Sequence, residues 1–178
     1  YNRGMYMRIE RICPDEAEEL YTCMKKIDQE TQYMLYLPDE RSFDKEAFID
    51  DIKRNFYIGV KTDDNEILGY LSAHISTLSK VKHIGYIVTG LVNNKQQQGL
   101  STKMFGETIR WAKRKGLRRL ELNVITSNTP AINFYEKLGF KIEGIKRESI
   151  YMDEHYYDEL YMAMILDQDI IPNTMRML

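Results

Sequence analysis

The sequence predicts an α/β (α+β) fold, one mixed sheet covered by helices on its faces, from three observations. The chain of 178 residues is 43% hydrophobic and 29% charged, enough apolar side chain for one core and too much for a disordered chain. Stretches that alternate every second residue take turns with stretches whose apolar positions recur at helical spacing, and no repeat, low-complexity run or linker interrupts them. Start and stop residues stand where the period changes, as in Asn128-Thr129-Pro130 before a helical stretch and Gly139 after it. Residues 1–178 are therefore read as one domain, with 1–6 as a tag or disordered start and 167–178 as a polar tail.

Residues 6–12 alternate as an opening strand. Pro14 with Asp15, Glu16, Glu18 and Glu19 then makes an acidic first helical turn, which the positive end of a helix dipole favours, and Ala17, Leu20, Met24 and Ile27 continue it at helical spacing. Thr31 to Ser42 has no period and reads as a loop; a short helix follows near 44–54 on Phe48 and Ile52. Strands at about 55–62 and 66–77 flank Asp63-Asp64-Asn65, whose turn chemistry predicts a hairpin. A strand from about His83 to Val92 leads through the polar stretch Asn93 to Gln98 into a helix from Gly99, with Phe105, Ile109 and Ala112 on its apolar face and Gly116 as its stop. The basic run Lys113-Arg114-Lys115 suits that helix's C-terminus. A strand over Leu117 to Val124, the capped helix ending at Gly139, and two long strands at about 140–151 and 155–166, turning at Asp153-Glu154, complete the chain.

Several functions are disfavoured at this point. Lys and Arg number 25 against 27 Asp and Glu, a net charge of −2, so the basic excess of a nucleic-acid binder is missing. Cys13 and Cys23 stand alone, and His74, His83 and His155 are scattered, which offers too few ligands for a zinc site and no disulfide framework. Apolar runs fall far short of the ~20 residues of a membrane span. The first dozen residues carry Arg3, Arg8, Glu10 and Arg11, unlike a signal peptide, so a cytoplasmic protein is expected, with no membrane or nucleic-acid partner.

The segment from Val92 to Thr102 joins a strand end, a polar loop and a helix start. Helix N-termini present backbone N–H groups and a positive dipole end that suit a phosphate, and small residues at 99 and 101 let one approach. One glycine is too few for a Walker A loop or a dinucleotide fingerprint. About 30 residues on stands Asn128-Thr-Pro-Ala131-Ile-Asn-Phe-Tyr135-Glu-Lys-Leu-Gly139-Phe140. These two segments resemble the GNAT N-acetyltransferase superfamily. Its phosphate loop, Gln/Arg-x-x-Gly-x-Gly/Ala, is similar to Gln96-Gln97-Gln98-Gly99-Leu100-Ser101, with Ser in the last place; its second motif, Asn-x-x-Ala-x-x-x-Tyr-x-x-x-Gly-Phe, is matched at every fixed position. The resemblance is carried by Gly85 to Leu166 and extends by element order to residues 7–166.

That resemblance implies a central mixed, mostly antiparallel sheet of about seven strands, splayed in the middle and flanked by about four helices. It implies acetyl-CoA (coenzyme A) as cosubstrate and no metal. The pantetheine arm would lie between the strands at 83–92 and 117–124, with Gly90 as a bulge that starts the splay. Cofactor contacts carried over are Leu91, Val92, Gln97, Gln98, Gly99, Leu100, Ser101, Thr102 and Asn128. Tyr135 is the implied general acid toward the leaving thiolate, although its spacing with Ala131 and Leu138 also fits core packing. The family's usual carboxylate bases are missing, their positions being held by Tyr86 and Asn123; Glu121, on the face of Asn123, is the nearest acid, with ion pairing to Arg118 or Arg119 as its other reading, and a water relay through Tyr86 and Asn123 is the alternative. Tyr33 and Tyr36, in the loop between the first two helices, are expected to wall the acceptor site. The implied activity is direct acetyl transfer in a ternary complex to a small-molecule amine or a protein amino group, a homodimer being compatible with it. The other reading is a catalytically idle acyl-CoA-binding regulatory module.

Overall fold

A computed structural model of the chain describes residues 6–93 and 99–167. Seven strands, β1 (Met7–Arg11), β2 (Phe56–Thr62), β3 (Ile67–Ile75), β4 (Ile84–Leu91), β5 (Arg119–Ile125), β6 (Lys141–Met152) and β7 (His155–Ile165), form one sheet in the order β1-β2-β3-β4-β5-β7-β6. Four helices flank it: α1 (Ala17–Glu30), entered through a 3-10 turn at Pro14–Glu16, α2 (Lys45–Arg54), α3 (Leu100–Lys115) and α4 (Thr129–Leu138). Gly116 and Gly139 end the last two helices at φ of 83° and 109°, as their sequence positions predict. None of the described helices is long and apolar enough to cross a membrane.

Every strand pair is antiparallel except β4 with β5. That parallel pairing runs only from Ile84–Arg119 to Tyr86–Glu121, and beyond it the two strands part. Hydrogen bonds define which backbone groups look into the gap. Val92 N–H donates to the Leu68 carbonyl at 2.9 Å and Thr126 N–H to that of Asp158 at 3.0 Å. Because antiparallel partners alternate between bonded and non-bonded pairs, the even-numbered residues of β4 and β5 turn their backbone to β3 and β7. Ile87 and Thr89 of β4 and Asn123 of β5 turn theirs toward each other.

The splay therefore starts after Tyr86, not at a bulge at Gly90. Gly90 stays in register opposite Tyr70, and a Cβ there would stand 3.2 Å from Ile27 Cδ1 and Cγ2 of α1. Glycine is present because α1 packs directly onto β4. On this face the paired residues Tyr57 and Ser72, then His74 and Tyr86, point the same way. On the other face Phe56 stacks on Trp111 of α3 with ring centroids 4.3 Å apart, and Phe105 meets Phe134, Tyr135 and Phe140 edge-on. Leu20, Ile27, Tyr70, Leu71, Met104, Phe105, Leu120 and Phe140 are nearly sealed from solvent in this core.

Gly90→Val should lower stability by about 1–3 kcal/mol through overpacking against buried Ile27 and Tyr70, read as a lower urea midpoint at constant slope. A midpoint equal to that of the unmodified chain would show that α1 does not lean on this position.

Candidate active site

A cavity of about 1240 Å³ opens on the Tyr57 face of the sheet, between the 31–43 loop, the diverging ends of β4 and β5, and the β6–β7 turn. Its loop wall is held by a buried ion pair. Arg41 donates from Nε to Asp28 Oδ2 at 2.6 Å and from Nη2 to Oδ1 at 3.1 Å, with the Asp28 side chain fully covered. The same guanidinium lies 4.3 Å from the centre of the Tyr36 ring. Tyr33 and Tyr36 both line the cavity while remaining partly exposed.

Leu91 ends β4 and Val92 follows it, both with buried side chains, so only their backbone can meet a ligand, and the Val92 N–H is engaged by the Leu68 carbonyl. Gly99, at φ of 68°, opens α3, and Leu100, Ser101 and Thr102 form its first turn. A Cβ at Gly99 would meet nothing within 4 Å, so its requirement is conformational: the left-handed backbone there aims the helix N-terminus. Gln97 and Gln98 lie outside the described residues. Asn128 caps α4, its Oδ1 accepting from Ala131 N–H at 3.4 Å, so its amide group is the part left for a ligand.

Tyr135 faces the cavity from α4. Its hydroxyl has no hydrogen-bond partner among the described residues, yet no buried polar side-chain atom there goes unsatisfied, so the hydroxyl touches open space in the cavity. Burial of the ring pushes the phenol up to about 12, which keeps it protonated at neutral pH.

Glu121, Tyr86 and Asn123 occupy an adjoining cavity of about 420 Å³ with Arg119, Glu143 and Tyr161; Tyr86 and Asn123 border both cavities, Glu121 only the smaller. Arg119 donates from Nε to Glu121 at 2.8 Å and from Nη1 to Glu143 at 2.9 Å. Of the readings of Glu121 as base, solvated residue or ion-pair member, the ion pair is formed, with Arg119 as partner. The Tyr86 phenol is raised above its ordinary value by burial and then by the charges of Glu159 and Glu121.

Sequence reasoning missed a cluster on the cavity wall. Asp51 of α2 accepts from the Tyr57 hydroxyl, and His74 Nε2 lies 3.1 Å from Asp51 Oδ2 and 3.2 Å from the Tyr57 oxygen. The hydrogen bond from His74, reinforced by Tyr57 and opposed by burial, holds the Asp51 carboxyl below the usual carboxylate value. His74 stands opposite Tyr86 in the β3–β4 register. The only signal in sequence was a histidine and a tyrosine on strands, both in step with the polar face.

The profile of the acetyltransferase (GNAT) family matches residues 16–140, and the chain belongs to that family. The chain is similar to the L-amino acid N-acetyltransferase AaaT of Escherichia coli (strain K12), 26% identical over 106 residues that make up 57% of this chain and 64% of that enzyme. Among solved structures it is similar to a GNAT-family acetyltransferase from Streptococcus pneumoniae, 24% identical over 91% of this chain and 100% of that one, with a TM-score of 0.84. It is also similar to the Salmonella typhimurium protein yncA, solved with its cofactor acetyl-CoA, at 15% identity, 94% and 98% coverage and a TM-score of 0.79. At these identities the two structures show the shared fold.

The Asp28–Arg41 pair gives a test of the wall. Asp28→Ala, which strands the guanidinium partly buried, should cost about 3–5 kcal/mol, whereas Asp28→Leu with Arg41→Met should cost far less, measured by chemical denaturation. Equal losses in the two proteins would mean that packing, not charge pairing, holds the loop.

Proposed function

We propose that this chain is an N-acetyltransferase that moves the acetyl group of acetyl-CoA to a primary amine by direct transfer in a ternary complex. The observation that carries the reading is the parting of β4 and β5 beside a cavity into which the protonated Tyr135 hydroxyl opens. The residues present suit the cosubstrate. Backbone groups of Ile87, Thr89 and Asn123 face the gap and can pair with the amides of a pantetheine arm as a strand would. The first-turn N–H groups of α3, at Gly99 to Thr102, suit the pyrophosphate, as do Gln97 and Gln98 by their place in the motif. The Asn128 amide adds a side-chain contact.

Bound acetyl-CoA supplies an acyl thioester. Tyr135 hydrogen-bonds to the departing sulfur and donates its proton there, a role that requires a neutral phenol at working pH. Neither cysteine suits a covalent route: Cys23 is buried, with burial pushing its thiol up to about 12, and Cys13 lies beside the 3-10 turn before α1. Glu121 as base works from within its pair with Arg119, and a water relay through Tyr86 and Asn123 is supported by their bordering both cavities. The acceptor's class follows from the wall. Asp28 and Arg41 cancel, and Glu30, Glu40, Asp44, Asp51, Asp153 and Glu159 outweigh Lys146, so the cavity attracts an ammonium. The idle-module reading is not favoured, since it gives no use to a proton donor opening into a cavity of this size.

Tyr135→Phe keeps the ring packing and should lower kcat by roughly 10²–10⁴-fold with coenzyme A affinity unchanged. Undiminished turnover of free-thiol release at saturating acetyl-CoA would make the phenol structural. Gly99→Val, forced into a left-handed backbone and placing a branched side chain at the phosphate approach, should weaken coenzyme A binding at least ~10-fold, or ~1.4 kcal/mol, by calorimetry. An unchanged Kd would take the α3 N-terminus out of the site.

A further inference from the structure

The family motifs leave the reaction without a proton acceptor, and the geometry points to one outside them: we propose that His74, held by Asp51 and Tyr57, takes the proton from the acceptor's ammonium. The inference rests on the N-acetyltransferase reading and adds to it the group that makes the amine reactive.

Three observations converge on His74. It lines the large cavity with its side chain 37% exposed, so solvent and a ligand reach it. Its Nε2 faces the Asp51 carboxylate and the Tyr57 oxygen at 3.1 and 3.2 Å. An ionised carboxylate only accepts, and the Tyr57 hydroxyl already donates to Asp51, so neutral His74 carries its proton on Nε2 and gives it to that pair. Its Nδ1 therefore keeps the lone pair. Among the described residues Nδ1 has no partner, and since no buried polar atom there lacks one, Nδ1 is accessible to solvent on a residue that lines the cavity. The third observation is position. His74 stands opposite Tyr86, the last residue of β4 still paired to β5, hence on the strand next to β4 and at the level where the gap opens. The charged and titratable groups recorded against it are Asp51 from α2, Tyr57 from β2 and Tyr86 from β4, and Asp51 stabilises the imidazolium that forms.

The step balances on its own. One N–H bond of the ammonium breaks as a bond forms between that proton and Nδ1; the electron pair stays on the amine nitrogen, which becomes nucleophilic, and the imidazolium later returns its proton to water. Asp51 and Tyr57 are positioning residues: they hold the tautomer and the ring but do not meet the acceptor. Glu121, paired to Arg119 and bordering only the smaller cavity, is less well placed for this task.

The test uses His74→Gln, whose terminal amide can still donate toward Asp51 but cannot act as a base. A panel of amino acids and diamines is screened with the unmodified chain, and the best acceptor is compared with its analogue fluorinated beside the nitrogen, which is less basic and already neutral in larger part. The variant should lose about 10²-fold in kcat/KM with the basic acceptor and several-fold less with the fluorinated one, because only the former needs its proton removed. Asp51→Asn should follow the same pattern in weaker form. In His74→Gly, added imidazole should restore part of the rate. Independently of turnover, the His74 ring signals in NMR, assigned by their absence from the variant and distinguished from those of His83 and His155, should shift when the acceptor is added to the coenzyme A complex. Equal losses with both acceptors, or His74 signals that do not move, overturn the assignment while leaving the acetyltransferase reading in place. An unmodified chain that acetylates none of the amines overturns both.

Discussion

The rest of the site depends on one interruption: β4 and β5 pair through three residues and then diverge. Backbone N–H and C=O groups seek partners, so a sheet that opens in its middle must offer those groups to something else. The parting occurs where the chain can support it. Both strands remain bonded on their outer sides, β4 to β3 through Leu91 and β5 to β7 through Ile125, so the opening costs no integrity of the sheet as a whole. α1 seals β4 from one face by packing Ile27 on Gly90, and α3 and α4 close the other through the aromatic cluster of Phe105, Phe134, Tyr135 and Phe140. Tyr135 consequently belongs to the core by its ring and to the cavity by its oxygen. Core packing, which its spacing predicts, thus leaves the hydroxyl of Tyr135 accessible from the cavity.

Electrostatics divides the surroundings into groups that build and groups that face a ligand. Asp28 and Arg41 satisfy each other almost entirely out of water and tie the irregular loop to α1. A pair of this kind adds little net stability over an apolar substitute, but it punishes the loss of either member, which suits a wall that must keep one shape. Arg119 makes a more exposed pair on the other side, bridging Glu121 of its own strand and Glu143 of β6, the edge strand. Asp51 differs from these acids, because its partners are a phenol, an imidazole and the Asn55 amide rather than a guanidinium, and the cluster faces the cavity.

Most of the fold was legible in the sequence. The strand and helix boundaries fall within a residue or two of the periodic stretches, because Pro14, Asp63-Asp64-Asn65, Asn128-Thr129-Pro130, Gly116 and Gly139 act on their own backbone and need no distant partner. Gly90 was the exception: a glycine within a strand suggests either a bulge or a close approach, and only the position of α1 decides between them. The cap, apolar face and stop of the helix from Asn128 to Gly139 were legible for the same local reason, whereas Tyr135 was marked only by the resemblance of this segment to the family motif.

What the sequence by itself determined is the order and type of the elements, the two motif segments and the missing carboxylates at Tyr86 and Asn123, all properties of residues close along the chain. Tertiary structure alone decided where the sheet opens, which arginine takes Glu121, and that His74 meets Asp51 and Tyr57. Asp51 and His74 are 23 residues apart, and Tyr57 and His74 17 apart, on three different elements. Their meeting follows from the register of β2 with β3 and the packing of α2 near it, and register is set by the burial of whole strand faces, which no local pattern records.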